Sequence, residues 1–212
     1  MVDRECEDVI LVHGLLMRPI MLRLLGYRLS QAGYRVHYAH VATLRRTSQE
    51  NAQNLHVLIQ SLDAAVVHLV AHSLGGLVLM HLFEQYDDIP PGKVVMLGSP
   101  IQGSQLAQHL FRYPVFHSLL KKGMRRALSG SEIPVWNQNR TWGMIAGNKA
   151  LGVGVFLGGL SGQSDGTVAL SETHHEKLNE HVVVKVSHLA MQFSHLVALY
   201  VMNFLKTGSF HH

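Results

Sequence analysis

Six short apolar or β-branched runs recur along this chain between longer stretches of helical periodicity, and few folds accommodate that alternation. The runs span residues 8–13, 34–40, 66–72, 93–98, 141–147 and 181–187. Helical patterns fall near 19–32, 48–62 and 74–86, within 102–128, near 171–178, and over 189–206. Strands that alternate with helices predict an α/β protein with a mainly parallel sheet, because parallel neighbours need long crossovers and helices supply them. Several runs are continuously apolar, as expected of strands covered by helices on both faces. At 212 residues, 47% hydrophobic and 15% charged, the chain fits one domain, 1–212, with an ample core.

The run 67–72 turns at Ser73 and continues as a helix with Gly75 and Gly76 directly after the turn. A serine at the tip of a tight strand-to-helix turn has its hydroxyl pushed into a cleft, beside helix N-terminal amides that can stabilise an oxyanion. Small residues such as Ala71 and Gly75 suit such a turn, because Cβ atoms flanking a strained position would collide. Ala71-His72-Ser73-Leu74-Gly75 departs from the G-x-S-x-G elbow by an alanine, which is still small. The same text also fits an ordinary serine capping a helix after a buried strand.

A serine nucleophile needs a base and usually a carboxylate that orients it. On the α/β-hydrolase sheet, whose nucleophile elbow this turn resembles, the three arrive in the order serine, acid, histidine, the acid after a late strand and the histidine after the last. Between Glu132 and Glu172 the single acidic residue is Asp165, on the connection between the last two strands; no acid lies between Gly98 and Glu132. Asp165 is therefore the candidate acid, although Asp165-Gly166 also reads as a backbone turn. The last run ends at His188, the candidate base. His195, about two turns further along the expected final helix, is the alternative, and His181 precedes the strand at its wrong end. Strand 8–13 ends in His13-Gly14, where glycine lets the Leu15 amide face the cleft. The Leu74 amide would supply the second oxyanion donor. His13 itself lies too early for this order and is expected to hold its loop by hydrogen bonds.

Residues 101–131 contain Arg112, Lys121, Lys122, Arg125 and Arg126, no acid, and interleaved apolar side chains. This basic amphipathic insert reads either as a cap that meets an anionic membrane surface or as a solvated excursion. Residues 147–166 are rich in glycine and apolar residues, which suits a mobile loop near a site or packing against the sheet. The net charge of +4 is modest and lacks basic stripes with interleaved aromatics, so nucleic acid is not an expected partner. The 16 histidines are scattered without metal-ligand spacing, so no metal site is expected, His174-His175-Glu176 being at most a weak surface binder. One cysteine, Cys6, cannot form an internal disulfide, which is compatible with a reducing compartment. No signal peptide is visible, and the apolar run 189–205 is short and interrupted by Gln192, Ser194, His195 and Asn203. A cytoplasmic protein with a buried terminal helix is expected.

The motifs Leu11-Val12-His13-Gly14-Leu15-Leu16, Ala71-His72-Ser73-Leu74-Gly75-Gly76, Gly98-Ser99-Pro100-Ile101-Gln102-Gly103-Ser104, Ser164-Asp165-Gly166-Thr167-Val168 and Val186-Ser187-His188 cover nearly the whole chain in order. Together they resemble the α/β-hydrolase superfamily, and within it the small serine lipases and esterases of the triacylglycerol-lipase and PGAP1-like type. The resemblance implies a minimal α/β-hydrolase fold, a three-layer sandwich with about six strands, lacking the first two of larger members and carrying a short helical cap. It implies cofactor-free hydrolysis of a small-molecule or lipid acyl ester through a serine acyl-enzyme, with Ser73, His188 and Asp165 as triad. Leu16, Met17, Leu106, Phe111 and Phe116 are the expected acyl-pocket lining. Thioester or amide hydrolysis and acyl transfer would use the same triad, and a non-catalytic lipid- or partner-binding protein of this fold is the remaining alternative.

Overall fold

The computed structural model describes residues 6–113, 128, 130, 133–134 and 140–211. Strands β1 (Asp8–Val12), β2 (Arg35–Ala39), β3 (Val67–His72), β4 (Val94–Leu97), β5 (Trp142–Gly147) and β6 (Glu180–Val184) form one sheet in the order β2-β1-β3-β4-β5-β6. Every neighbouring pair is parallel. All six expected runs are strands, and the sheet is wholly parallel.

Successive side chains leave a strand on opposite faces, so a run apolar at every position feeds two cores. On one face Ile10, Val12, Leu69, Ala71, Val94 and Met96 pack against α2 (Ser48–Gln60) and α3 (Gly75–Gln85). On the other, Val9, Leu11, Val70, Val95, Leu97 and Ile145 pack against α1 (Arg23–Gln31) and α6 (His195–Thr207). Helix α3 is buried from Gly75 to Phe83, as a helix apolar on all sides must be. Helix α2 starts with a capping box: the Thr47 side chain accepts from the Glu50 amide and Glu50 accepts from the Thr47 amide. Two short helices, α4 (Gln105–Leu110) and α5 (Val153–Leu157), lie outside the alternation.

Strand order places the site. From β1 the chain crosses to β2 on one side, returns, and continues with β3 on the other. The loops after β1 and β3 therefore diverge and leave a crevice at the carboxyl edge, where ligands bind in open α/β sheets.

Two helix expectations need correction. Residues 171–178 hold only a 3-10 turn, Leu170–Thr173. The charged and histidine side chains that follow give no apolar stripe to dock. The final helix begins at His195 rather than 189, after a separate 3-10 turn, Ala190–Gln192. Ser194 caps it by accepting from the Val197 amide, a signal that the surrounding apolar run obscured. His195 is thus at the start of α6, exposed, and does not share a helical face with His188. Within residues 147–166, expected as loop, α5 forms. No helix among the described residues is long and apolar enough to cross a membrane.

Helix α6 anchors the far half of the sheet through Phe204, fully buried and 4.6 Å from the Phe210 ring. Both rings occupy the space above Gly143, where an added Cβ would lie 2.5 Å from Phe210 and 2.6 Å from Phe204. Phe204→Ala is expected to lower stability by roughly 3–5 kcal/mol, read from urea unfolding midpoints. A loss under about 1 kcal/mol would mean that α6 contributes little to the core.

Candidate active site

Ser73 follows β3 with φ +55°, a left-handed backbone conformation that is strained for a residue with a Cβ. Its amide is tied to the Leu97 carbonyl at 2.9 Å, and its carbonyl accepts from Gly76 at 3.0 Å. The strain is thus held by β4 on one side and α3 on the other. Leu74, not Ser73, is the N-cap of α3, and no side chain caps it. The capping alternative is removed, and the hydroxyl is left for the cleft. Gly75 is required for a reason other than flanking strain: a Cβ there would sit 2.7 Å from the Val12 carbonyl oxygen, blocking the approach of α3 to the end of β1.

The loop after β1 is built by His13. Its Nδ1 lies 3.0 Å from the Gly14 carbonyl and its Nε2 accepts from the Val41 amide at 3.0 Å, so Nδ1 carries the proton. Burial pushes its pKa down, which preserves this neutral tautomer. The loop then takes Leu16 through φ +57° and fastens it by the Leu16 amide to Thr43 Oγ1, 3.2 Å. Neither the Leu15 nor the Leu74 amide donates to any group among the described residues.

Asp165 and His188 meet across the β5 and β6 ends. His188 Nδ1 lies 2.7 Å from Asp165 Oδ2, with the side chains 7% and 2% exposed. The other carboxylate oxygen, Oδ1, accepts from the Thr167 and Val168 amides at 2.9 and 2.8 Å. Asp165 thus closes its own turn with one oxygen and meets His188 with the other. Facing this carboxylate, Nδ1 is the protonated nitrogen, which leaves His188 Nε2 as the bare acceptor of the ring. The pair needs a glycine at 98: a Cβ there, at φ +55°, would stand 3.0 Å from Asp165 Oδ2 and 3.2 Å from His188 Nδ1.

A cavity of about 350 Å³ opens at this point, lined by Ser73, His188, Leu15 and Leu74 together with apolar side chains. Leu16, Met17, Leu106 and Phe111 are among the residues that line it; Phe116, and the insert residues Lys121, Lys122, Arg125 and Arg126, lie outside the described residues. Leu110, Leu151, Leu157, Val168 and Leu189 also line it and were missed, since their segments carry no motif. Glu172 was missed too. It accepts from the Gln105 amide at the start of α4 and from the Ala169 amide, at 2.5 and 2.9 Å, joining the wall of the cavity to the segment that follows Asp165. Burial raises its pKa. Among the described residues no group of three metal-ligating side chains is present.

A domain family of unknown function, DUF7379, matches residues 24–113. No curated protein matches the sequence. Among solved structures, the lipase BlEst2 of Bacillus licheniformis, in mature form, is similar over 98% of this chain and 94% of that one, at 20% identity and TM-score 0.72. The metagenomic carboxyl esterase MGS0156 is similar over 90% and 67%, at 18% identity and TM-score 0.67. A bromoperoxidase from Bacillus anthracis is similar over 95% and 92%, at 17% identity and TM-score 0.67. The architecture they share with this chain is the α/β-hydrolase fold, here with six strands.

Burial also lowers the pKa of His68, His72 and His181, as it does for His13. These imidazoles take up protons less readily in the native state than once unfolded, where they titrate near 6.5. Their contribution is present above that value and is lost as pH falls below it, each by up to about 1.4 kcal/mol per pH unit. Glu172, shifted upward, acts in the opposite sense as a single group. Urea midpoints should therefore fall clearly from pH 7.5 to pH 5, and a flat profile would contradict these downward shifts.

Proposed function

We propose that this protein is a carboxylic-ester hydrolase acting through a serine acyl-enzyme. The observation that carries the reading is the buried Asp165–His188 pair, with His188 and a strained Ser73 lining one cavity together with Leu15 and Leu74, whose amides have no partner among the described residues. Ser73 Oγ attacks the acyl carbonyl carbon while His188 Nε2 takes the hydroxyl proton. The carbonyl π electrons move to oxygen, and the Leu15 and Leu74 amides hold the oxyanion. Collapse expels the alkoxide, which receives the proton from His188 and leaves an acyl-Ser73 ester. Water, deprotonated by His188, attacks that ester and releases the acid and free Ser73. Asp165 holds the imidazole orientation and stabilises the imidazolium.

The apolar lining supports an apolar acyl group. Several side chains at or beside the cavity are exposed, including Leu16 at 62%, Leu151 at 58%, Leu189 at 54% and Phe156 at 85%. Such a rim suits an acyl ester presented at a lipid surface. Thioesters and amides share the machinery, and competition against esters separates them.

With p-nitrophenyl esters of graded acyl length, wild type is expected to turn over while Ser73→Ala and His188→Ala fall to background. Asp165→Asn should lose roughly 10⁴-fold in kcat by stabilising the wrong histidine tautomer. Inactivity of wild type across the series would sink the ester reading. For the surface, Ser73→Ala protein should sediment with anionic vesicles at low salt and release as salt screens the charge; no binding at low salt would exclude an anionic membrane partner.

A further inference from the structure

His72 precedes Ser73 at the end of β3 and takes no part in the reaction above. Its side chain is fully buried, and its ring lies against that of His188, centroids 4.6 Å apart with planes at 48°. His72 Nε2 is 3.0 Å from the main-chain carbonyl oxygen of His188. A carbonyl oxygen only accepts, so Nε2 carries the proton and the ring is held as one tautomer. Nδ1 is then a bare acceptor, buried with no partner among the described residues. An unpaired buried nitrogen is unfavourable, and leucine or phenylalanine would avoid it. The reason for an imidazole in this apolar position must lie in the bond that Nε2 makes.

That bond closes a circuit of tethers. The His188 amide donates to the Asp165 carbonyl at 2.9 Å, its Nδ1 donates to Asp165 Oδ2, and its carbonyl receives His72 Nε2–H. The first two tie His188 to the acid. Only the third, of these tethers, ties it to the strand that carries Ser73. It is needed because β6 is an edge strand that ends at Val184, so His188 lies beyond the ladder. We propose that His72 is a positioning residue: its Nε2–H, bonded to the His188 main-chain carbonyl, fixes the segment bearing the base relative to the nucleophile elbow. The inference rests on the assignment of Ser73 and His188 as nucleophile and base.

Neutrality belongs to the role. Burial holds His72 well below the usual imidazole range; the charges of His188 and His13 push the same way, while the hydrogen bond to the His188 carbonyl opposes them without reversing the direction. A neutral ring does not repel His188 when that side chain takes up the serine proton.

The test compares His72→Phe, which fills the ring space without a donor, with His72→Gln, whose amide nitrogen stands near the position of Nε2. The readouts are the rate at which a fluorophosphonate labels Ser73 and the kinetics on p-nitrophenyl butyrate. His72→Phe should slow labelling and kcat by about 10- to 100-fold, as misplacement near 1 Å does, with little change in KM. His72→Gln should restore most of the loss. Labelling of His72→Phe at the wild-type rate, or His72→Gln as slow as His72→Phe, overturns the inference while leaving the nucleophile assignment intact. Failure of wild type to label at Ser73 removes that assignment and the inference with it. Should His72→Phe not fold, long-range ¹H–¹⁵N spectra of wild type decide: at about pH 7 His72 should be a neutral ring protonated at Nε2. A doubly protonated or Nδ1-protonated ring overturns the proposal.

Discussion

Close approach of chain segments at the carboxyl edge of a wholly parallel sheet is the constraint on which this molecule depends. Because every strand runs the same way, every strand-to-helix connection emerges at that edge and must share it. The segments carrying Asp165 and His188 come together over the end of β4 only because residue 98 has no Cβ. The elbow after β3 meets the end of β1 only because residue 75 has none. These absences of side chain allow a strained serine, an imidazole and two residues whose amides have no partner among the described residues to line one cavity. The rigidity comes from the two cores beneath, which cover both faces of the sheet.

The histidines show how one residue type is sorted by environment. His13 and His72 are buried and committed to hydrogen bonds with main-chain groups, His13 with the Gly14 carbonyl and the Val41 amide, His72 with the His188 carbonyl. His188 is buried as well, yet its Nδ1 faces the Asp165 carboxylate rather than a main-chain group. The difference lies in the partner across from each ring. The acid shows the same economy: one oxygen of Asp165 organises its own turn and the other organises the imidazole.

Much of this was legible beforehand. Continuous apolar runs revealed strands buried on both faces, and the serine between an apolar strand and paired glycines marked the elbow. Chain order singled out Asp165 and His188, since few acids and few late histidines compete for those places. Other features left no local trace. The helix start at His195 was hidden by an apolar run that spans a 3-10 turn, a cap and a helix alike. Glu172 and His72 are ordinary residues in sequence; each matters through a backbone group distant along the chain, Gln105 and His188 respectively. Leu151, Leu157 and Leu189 form the cavity wall from segments with no periodicity, because a wall requires only apolar atoms at the right place.

The sequence by itself determined the parallel α/β architecture, the elbow at Ser73 and the identity of the candidate acid and base, because these follow from periodicity, small residues at a turn and order along the chain. Tertiary structure alone decided which imidazole meets which carboxylate, which amides remain unpaired, and how large and how apolar the cavity is. Those properties depend on distances of a few ångströms between residues far apart in the chain, and such distances are fixed only when both faces of the sheet are packed.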